Sequence, residues 1–348
     1  MNKLRIGVVC TAVALMANTA KADDADFYRG KTLNILIGSG VGGGLDQVAR
    51  VVARHLGKHV PGNPTVVPRN MVGAGGLQVL NFVQSVAPKD GTTIGVVLPS
   101  LVFEPLLAGK TSTQGFDPRK LQWLGGPARY ASVAIAWNPA TPVRKAEDLL
   151  SHELVVGAAS AVSNSATDGY VMRNILGFKY RTVTGYPSGA DLDLAMLRGE
   201  TQGRANIAWY GIKTRNAEWL SEGKISLLYQ MGLKKHPDIP PEVPLSLDLT
   251  RTPAERQLLQ LKFSAYDVGY AFMAPPDTPA ERVATLRAAL KATFDDPAYR
   301  ADAMREKLEL DPVSGQEVEA IIRNAYGASP EVIARLSEAA KPGRPDPR

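Results

Sequence analysis

The chain has 348 residues, 45% of them hydrophobic and 21% charged, with a formal net charge of +6 and a single cysteine. That balance is ordinary for a soluble globular protein large enough for two cores. It is too mildly basic for a nucleic-acid footprint, and one cysteine excludes a disulfide framework or a spaced Cys/His metal set.

Residues 1–22 read as an export signal, not as part of the fold. Lys3 and Arg5 make a basic start, IGVVCTAVALMA (6–17) is an apolar stretch too short to span a bilayer, and Ala20-Lys21-Ala22 is an A-x-A cleavage site. Cleavage is expected after Ala22. A buried N-terminal helix is the alternative, and the basic flank and the A-K-A ending argue against it. Cys10 lies inside this segment, and Val9 before it is too bulky for a lipoprotein cleavage box, so the mature chain has no thiol. Losing Lys3, Arg5 and Lys21 leaves 37 basic against 34 acidic side chains and a net charge of +3. No later run of about 18 apolar residues follows, so the mature chain is expected to be soluble.

The segment KTLNILIG (31–38) suits a buried strand, and GSGVGGG (38–44) follows it with five glycines in seven positions. In LDQVARVVARHLGKH (45–59), Leu45, Val48, Ala49, Val52 and Leu56 recur at helical spacing, with Asp46, Arg50, Arg54 and Lys58 on another face. The order then repeats. PTVVP (64–68) is a strand, RNMVGAGG (69–76) a glycine-rich turn, LQVLNFVQSVA (77–87) a helix with Val79, Phe82, Val83 and Val86 on one face, and TTIGVV (92–97) a third strand. The first hundred residues thus predict βαβαβ and a parallel sheet. A second unit of this kind begins near 154. Strand ELVVGAA (153–159), the polar loop SAVSNSATDG (160–169), a helix near 168–176, strand FKYRTVTG (178–185), loop YPSGAD (186–191), a short helix closed by Gly199 and a strand near 201–209 follow in order. In the last third, FSAYDVGYAFMAPP (263–276) reads as a strand crossing back to the first lobe. Helices are expected over 278–296, 297–308 and about 315–340, and a disordered tail over 341–348.

Gly38, Gly40 and Gly43 form G-x-G-x-x-G after a strand and before a helix, the context of a dinucleotide fingerprint. The end of the second strand offers Arg69 and Asn70 in place of the acid that would hold a ribose, and an exported protein meets little free dinucleotide. A reading that takes both glycine turns together fits better. Each lies at the carboxyl edge of a parallel sheet and points backbone N–H groups, at a helix start, toward negative charge. The loops SAVSNSAT and YPSGAD add hydroxyl, amide and glycine donors at equivalent edges, which suits a small carboxylate. Four ligand-free turns are the plain alternative, since turns favour these residues anyway. Catalytic patterns are poor. His55 and His59 enclose Leu-Gly-Lys, not the H-E-x-x-H pattern, and read as basic groups near a helix end; no G-x-S-x-G occurs; Asp191 and Asp193 fit a helix start better than a dyad. The four tryptophans read mostly as core. No catalytic residue, metal or cofactor is assigned.

Gly42-Gly43-Gly44-Leu45-Asp46, NMVGAGG (70–76), APKDGTTIG (87–95), VTGYPSGADLDLAMLRGE (183–200) and APPDTPAERVATLRAAL (274–290), in this order after an export signal, resemble the receptors of tripartite tricarboxylate transporters, the Bug-type periplasmic solute-binding proteins. The resemblance covers essentially the whole mature chain. It implies an α/β, two-lobed type II periplasmic-binding-protein ("Venus flytrap") fold, each lobe a mostly parallel sheet flanked by helices. Lobe I would comprise 23–128 plus 263–348 and lobe II 129–262, with hinges near 128–134 and 262–272. It implies a non-enzymatic, monomeric periplasmic receptor that binds a small carboxylate, such as a di- or tricarboxylate or an aromatic acid, and delivers it to membrane permease subunits. In lobe I, Gly42, Gly43, Gly44, Asn70, Gly73, Ala74, Gly75 and Gly76 match the turns that hold one carboxylate, with Asp46 kept beside them. In lobe II, Ser160, Ser163, Asn164 and Ser165 and then Tyr186, Pro187, Ser188 and Gly189 would close on the ligand, with Asn206 where relatives often carry Asp. Val41 stands in place of the usual Pro and Leu45 in place of the usual Thr, so the resemblance leaves the ligand's second functional group open. A ligand sensor for a membrane signalling partner, or an exported enzyme or cofactor binder on the same lobes, are the other readings.

Overall fold

In a computed structural model, described for residues 24–73, 76–108, 116–161, 163–186 and 188–343, the chain runs β1 (Thr32–Ile37), α1 (Gly44–Leu56), β2 (Thr65–Asn70), α2 (Leu77–Ser85), β3 (Thr93–Val96), α3 (Glu104–Ala108) and β4 (Gln122–Gly126). Then come β5 (Ser132–Trp137), β6 (Leu154–Ala158), α4 (Asn164–Leu176), β7 (Tyr180–Thr184), α5 (Gly189–Leu197), β8 (Gly203–Ala208), α6 (Trp209–Arg215), α7 (Ala217–Ser221), β9 (Ile225–Met231) and α8 (Pro253–Val268). The chain ends with β10 (Phe272–Ala274), α9 (Ala280–Asp295), α10 (Pro297–Arg305), β11 (Val313–Ser314), α11 (Gly315–Tyr326) and α12 (Pro330–Ala339). The expected signal, residues 1–22, lies outside the described residues.

Two compact units emerge. Described residues within Met1–Leu101, Thr113–Ala128 and Tyr270–Ala320 form the first, and those within Val102–Ser112, Arg129–Gly269 and Ile321–Arg348 the second. Among the described residues the chain passes between them after Leu101, after Ala128, after Gly269 and after Ala320, and it is back in the first unit by Phe116. The segment expected as one piece of lobe I, 263–348, is therefore divided: 263–269 and 321–343 group with the second unit, as does 102–108.

The first unit holds a six-stranded sheet in the order β11-β4-β10-β3-β1-β2. The expected βαβαβ forms its parallel part, with Thr32 opposite Thr65, Ile37 opposite Asn70 and again opposite Val96. Leu33, Ile35, Ile37, Ile94 and Val96 are buried, as a strand covered on both faces requires. Helix α1 buries Leu45, Val48, Ala49, Val52 and Leu56, the predicted stripe. Its basic face docks on α10. Arg54 and His55 reach Asp302, and His59 reaches Asp296, at 2.9–3.0 Å. The Arg54 hydrogen bond, against burial and with help from His55, holds the Asp302 carboxyl down to about 2. The paired histidines thus serve helix packing. In α2, Val79 and Val83 are buried, but the helix ends at Ser85 and leaves Val86 exposed.

The second unit holds a five-stranded sheet in the order β7-β6-β8-β5-β9. Its parallel trio β7-β6-β8 repeats the order of β2-β1-β3, so both halves wind alike. The strands added to each trio are antiparallel, which makes both sheets mixed. Trp137, Trp209 and Trp219 pack into one cluster with Val133, Ile135 and Ile207, and Trp123 is buried in the first unit.

The stretch 263–276 departs from expectation. Residues 263–268 are the last turns of α8, not strand, and strand is confined to Phe272–Ala274. Thr252 caps α8 by accepting from the Glu255 amide, and Pro253 opens it. The run Phe263 to Val268 is buried on nearly every side, so its composition mimics a strand. The helix expected over 315–340 is two helices, because Ser329 caps and Pro330 starts a new one. Helix α4 begins at Asn164, earlier than expected, with Ser163 as its N-cap.

Backbone proximity also dictates sequence at Gly203, where a Cβ would lie 2.3 Å from the Ile135 carbonyl oxygen on the neighbouring strand. Gly203→Ala should therefore cost more than about 2 kcal/mol, read as a lowered denaturation midpoint at unchanged slope; full stability would show that β5 and β8 are not in this register.

Candidate functional site

The two glycine turns of the first unit touch each other at Gly38 and Gly76. A Cβ on Gly76 would lie 2.9 Å from the Gly38 carbonyl oxygen, one on Gly38 would lie 3.1 Å from the Gly76 Cα, and Gly76 holds φ +109°. Gly38, the first glycine of the formal dinucleotide fingerprint, is thus a packing position. A Cβ on Gly40, Gly42 or Gly44 would meet nothing within 4 Å, and one on Gly43 would meet only the Gly40 carbonyl oxygen at 3.7 Å. Gly42 holds φ +82°, which favours glycine. Residues 41–43 are exposed. The bare backbone therefore borders open space at the start of α1, where the first-turn amides have no carbonyl partner within the helix.

One knot of side chains shapes this turn. The Asp46 carboxylate, almost fully buried, accepts from the Gly42 amide at 2.8 Å, from Arg50 Nε at 2.9 and 3.0 Å and from Asn70 Nδ2 at 2.8 Å. Asn70 Nδ2 also donates to the Ser39 carbonyl at 2.9 Å, and its Oδ1 accepts from Arg50 Nη2 at 2.6 Å. Burial pushes the Asp46 carboxyl up, but the hydrogen bonds from Arg50, Gly42 and Asn70 outweigh it and hold it below the ordinary value. Asp46 and Asn70, expected beside the ligand, spend their side chains on the turn itself. Leu45 is buried in the core, whereas Val41 is 78% exposed. Gly73 packs against the Gln78 side chain and its carbonyl accepts from the Gly76 amide at 2.9 Å. Ala74 and Gly75 lie outside the described residues.

In the second unit, Ser160, Ser163 and Ser165 are knitted together. Ser163 Oγ donates to the Ser160 carbonyl at 2.7 Å and lies 2.8 Å from Ser165 Oγ, which accepts from the Ala159 amide at 3.2 Å. Asn164 is the half-buried first residue of α4. Tyr186 donates to Glu200 at 3.3 Å. Ser188 caps α5, accepting from the Asp191 amide and donating to its carboxylate, and Gly189 is the first residue of that helix. Pro187 lies outside the described residues. Asn206 is buried and donates to Asp168 at 2.6 Å and to the Tyr266 hydroxyl at 2.8 Å.

Sequence reasoning missed the groups around Asn206. Asp168, fully buried in α4, pairs with Lys262 of α8 at 2.8 Å and accepts from Tyr266. Burial, with Asp168 adding to it, pushes the Tyr266 hydroxyl far above its ordinary value, so it stays a donor. The partners of the Asp168–Lys262 pair stand on elements far apart in the chain, which leaves no local trace of it. Arg204, paired with Asp193 at 2.6 Å, is also buried; a charge inside the strand pattern GRANIA was its visible signal. No group of three His, Cys, Asp or Glu among the described residues is arranged to hold a metal ion. Backbone amides at a helix start can in general receive an anion.

No family model matches the chain. It is 24% identical over 315 residues to the UPF0065 protein of the gbd 5′ region of Cupriavidus necator, covering 87% of this chain and 86% of that one. A TctC solute-binding protein from Polaromonas superposes with TM-score 0.62 at 16% identity, covering 90% of this chain and 98% of its own. MatC from Rhodopseudomonas palustris, solved with bound malate, gives 0.59 at 19%, covering 89% and 99%. The chain has the fold of the TctC-type solute-binding proteins. The two-lobed fold class read from the motifs holds, and so does the resemblance to the tripartite tricarboxylate receptors.

A carboxyl whose folded pKa lies below its unfolded one stabilises fully above the unfolded value and loses that contribution as pH falls through the folded one. Asp46→Asn should thus cost about 1–3 kcal/mol at neutral pH, with the gap to wild type closing below about pH 4. Chemical denaturation at pH 7 and pH 3 checks this; an equal gap at both would remove the charge from the account.

Proposed function

We propose that this TctC-like chain is a periplasmic solute-binding receptor that captures a small carboxylate without chemical change and delivers it to the membrane subunits of a tripartite tricarboxylate transporter. The observation that carries the reading is the pair of touching glycine turns at the carboxyl edge of β1 and β2, with uncrowded backbone at Gly42–Gly44 and a second helix start at Gly76 before α2. Amides aimed this way attract a carboxylate through the helix dipole and direct hydrogen bonds. The knot at Asp46 holds them in place before any ligand arrives, which lowers the ordering cost of binding. The fold of the malate-bound MatC supports the same ligand chemistry. The expected signal at 1–22 supports export, with maturation after Ala22, and the ligand-binding role given to the second-unit loops belongs to this proposal as well.

Calorimetric titration of the mature chain with malate, citrate, adipate, benzoate and aspartate should give binding by at least one carboxylate. Gly43 has an extended backbone, φ −75°, and room for a Cβ, so Gly43→Val should fold. It should weaken that binding by about tenfold or more with little change in melting temperature. Unchanged affinity would take the ligand away from this turn, and silence from every carboxylate up to millimolar concentration would sink the reading.

A further inference from the structure

Three loops meet at the carboxyl edge of the first unit's parallel trio. Ile37 stands opposite Asn70 of β2 and Val96 of β3, so the three strands end level. Beyond that line the Gly38 amide donates to the Val96 carbonyl at 3.0 Å and the Met71 amide to the Ile37 carbonyl at 2.9 Å. A Cβ on Gly38 would lie 2.9 Å from Val97 Cγ1, and one on Gly76 would lie 2.9 Å from Leu101 Cδ1. The loop after β3 thus packs against both glycine turns.

Each of these loops leaves one aliphatic side chain in solvent: Val41 is 78% exposed, Val72 67% and Leu98 38%. They stand four, two and two residues past the ends of β1, β2 and β3. Single exposed aliphatics are common on any surface, but these gather at one edge, around bare backbone. The loops GSGVGGG (38–44), MVGAGG (71–76) and VLPSL (97–101) contain no charged, amide or aromatic side chain, and their polar side chains are the hydroxyls of Ser39 and Ser100. The nearby cation Arg50 is spent on Asp46 and Asn70. Arg69 precedes Asn70 on β2 and projects from the opposite face of the sheet. A carboxylate seated on the amides therefore has aliphatic surface beside it, and these loops hold no cation for a second one.

We infer that the carboxylate held at this turn belongs to an aliphatic monocarboxylate, with Val41, Val72 and Leu98 as the specificity-determining residues that receive its hydrocarbon chain. This rests on the carboxylate-receptor reading and narrows it to one charged end and one apolar body. Covering the three side chains removes apolar surface from water. The same cover keeps water from the amides, which strengthens their hydrogen bonds to the carboxylate. A second carboxyl on the chain would be drawn out of water against methyl groups, at a cost in affinity. An aromatic body would find no ring in these loops to stack on.

Chain length is the test. Butyrate, hexanoate and octanoate, titrated into the mature chain by calorimetry, should bind about two- to fourfold tighter for each added methylene. Hexanoate should bind at least about tenfold tighter than adipate, which has the same carbon chain and a second carboxyl. The double variant Val41→Ser/Val72→Ser, changed at two exposed positions, should flatten the gradient without lowering the melting temperature. Val86→Ser, at an equally exposed aliphatic just after α2 and outside the three loops, should keep it. A flat wild-type series, adipate binding as tightly as hexanoate, or a gradient undiminished in the double variant would overturn the aliphatic seat, and binding of any carboxylate would still leave the receptor reading standing. Silence from these four acids and from malate, citrate, benzoate and aspartate alike would overturn the receptor reading with it.

Discussion

The carboxylate of Asp46 is the constraint on which the first unit's turn depends. Glycine-rich backbone has many conformations, and nothing in the glycines themselves selects one. Asp46 removes that freedom by gripping the Gly42 amide from inside α1 while Arg50 and Asn70 close around it. Asn70 stands at the last residue of β2, so the turn after β1 is fastened to the neighbouring strand rather than left hanging from its own helix. Rigid position comes from buried charge and hydrogen bonds; contact with solvent is left to the backbone.

The second unit follows the same division of labour with different parts. Ser163 and Ser165 shape the turn into α4, and Ser188 shapes the turn into α5, each through bonds to nearby chain. Hydroxyls that read as ligand donors in the sequence are engaged in local structure. Polar loop composition therefore reports first on how a turn is built, and only second on what it holds.

Much of this was legible beforehand. The alternation of apolar runs and glycine turns marked both parallel trios, and the spacing of Leu45, Val48, Val52 and Leu56 marked the buried face of α1. The antiparallel strands were harder. β10 has three residues and β11 two, too short to show an alternation, and their places in the sheet depend on partners far along the chain. Helix α8 misled because Phe263, Tyr266 and Val268 favour strands and are buried together, which erases the period of 3.6. At the site, the glycine turns could be read from a few consecutive residues, whereas the bond between Asp46 and Asn70 joins residues on different elements and has no signature in either one.

The strand order carries a consequence for how the chain acquires its structure. The trio β2-β1-β3 draws on residues 32–96, a contiguous stretch with short crossovers, but the next strand beside β3 is β10, which begins at residue 272. Until that late segment arrives, β3 presents an unpaired row of amides and carbonyls built on Thr93 to Val96, a ready template for wrong partners. The whole second parallel trio is synthesised in the interval. Completion of the first sheet is thus a long-range closure, slow by its topology, and the vulnerable species is a chain whose two glycine turns are already synthesised while its sheet still has an open side.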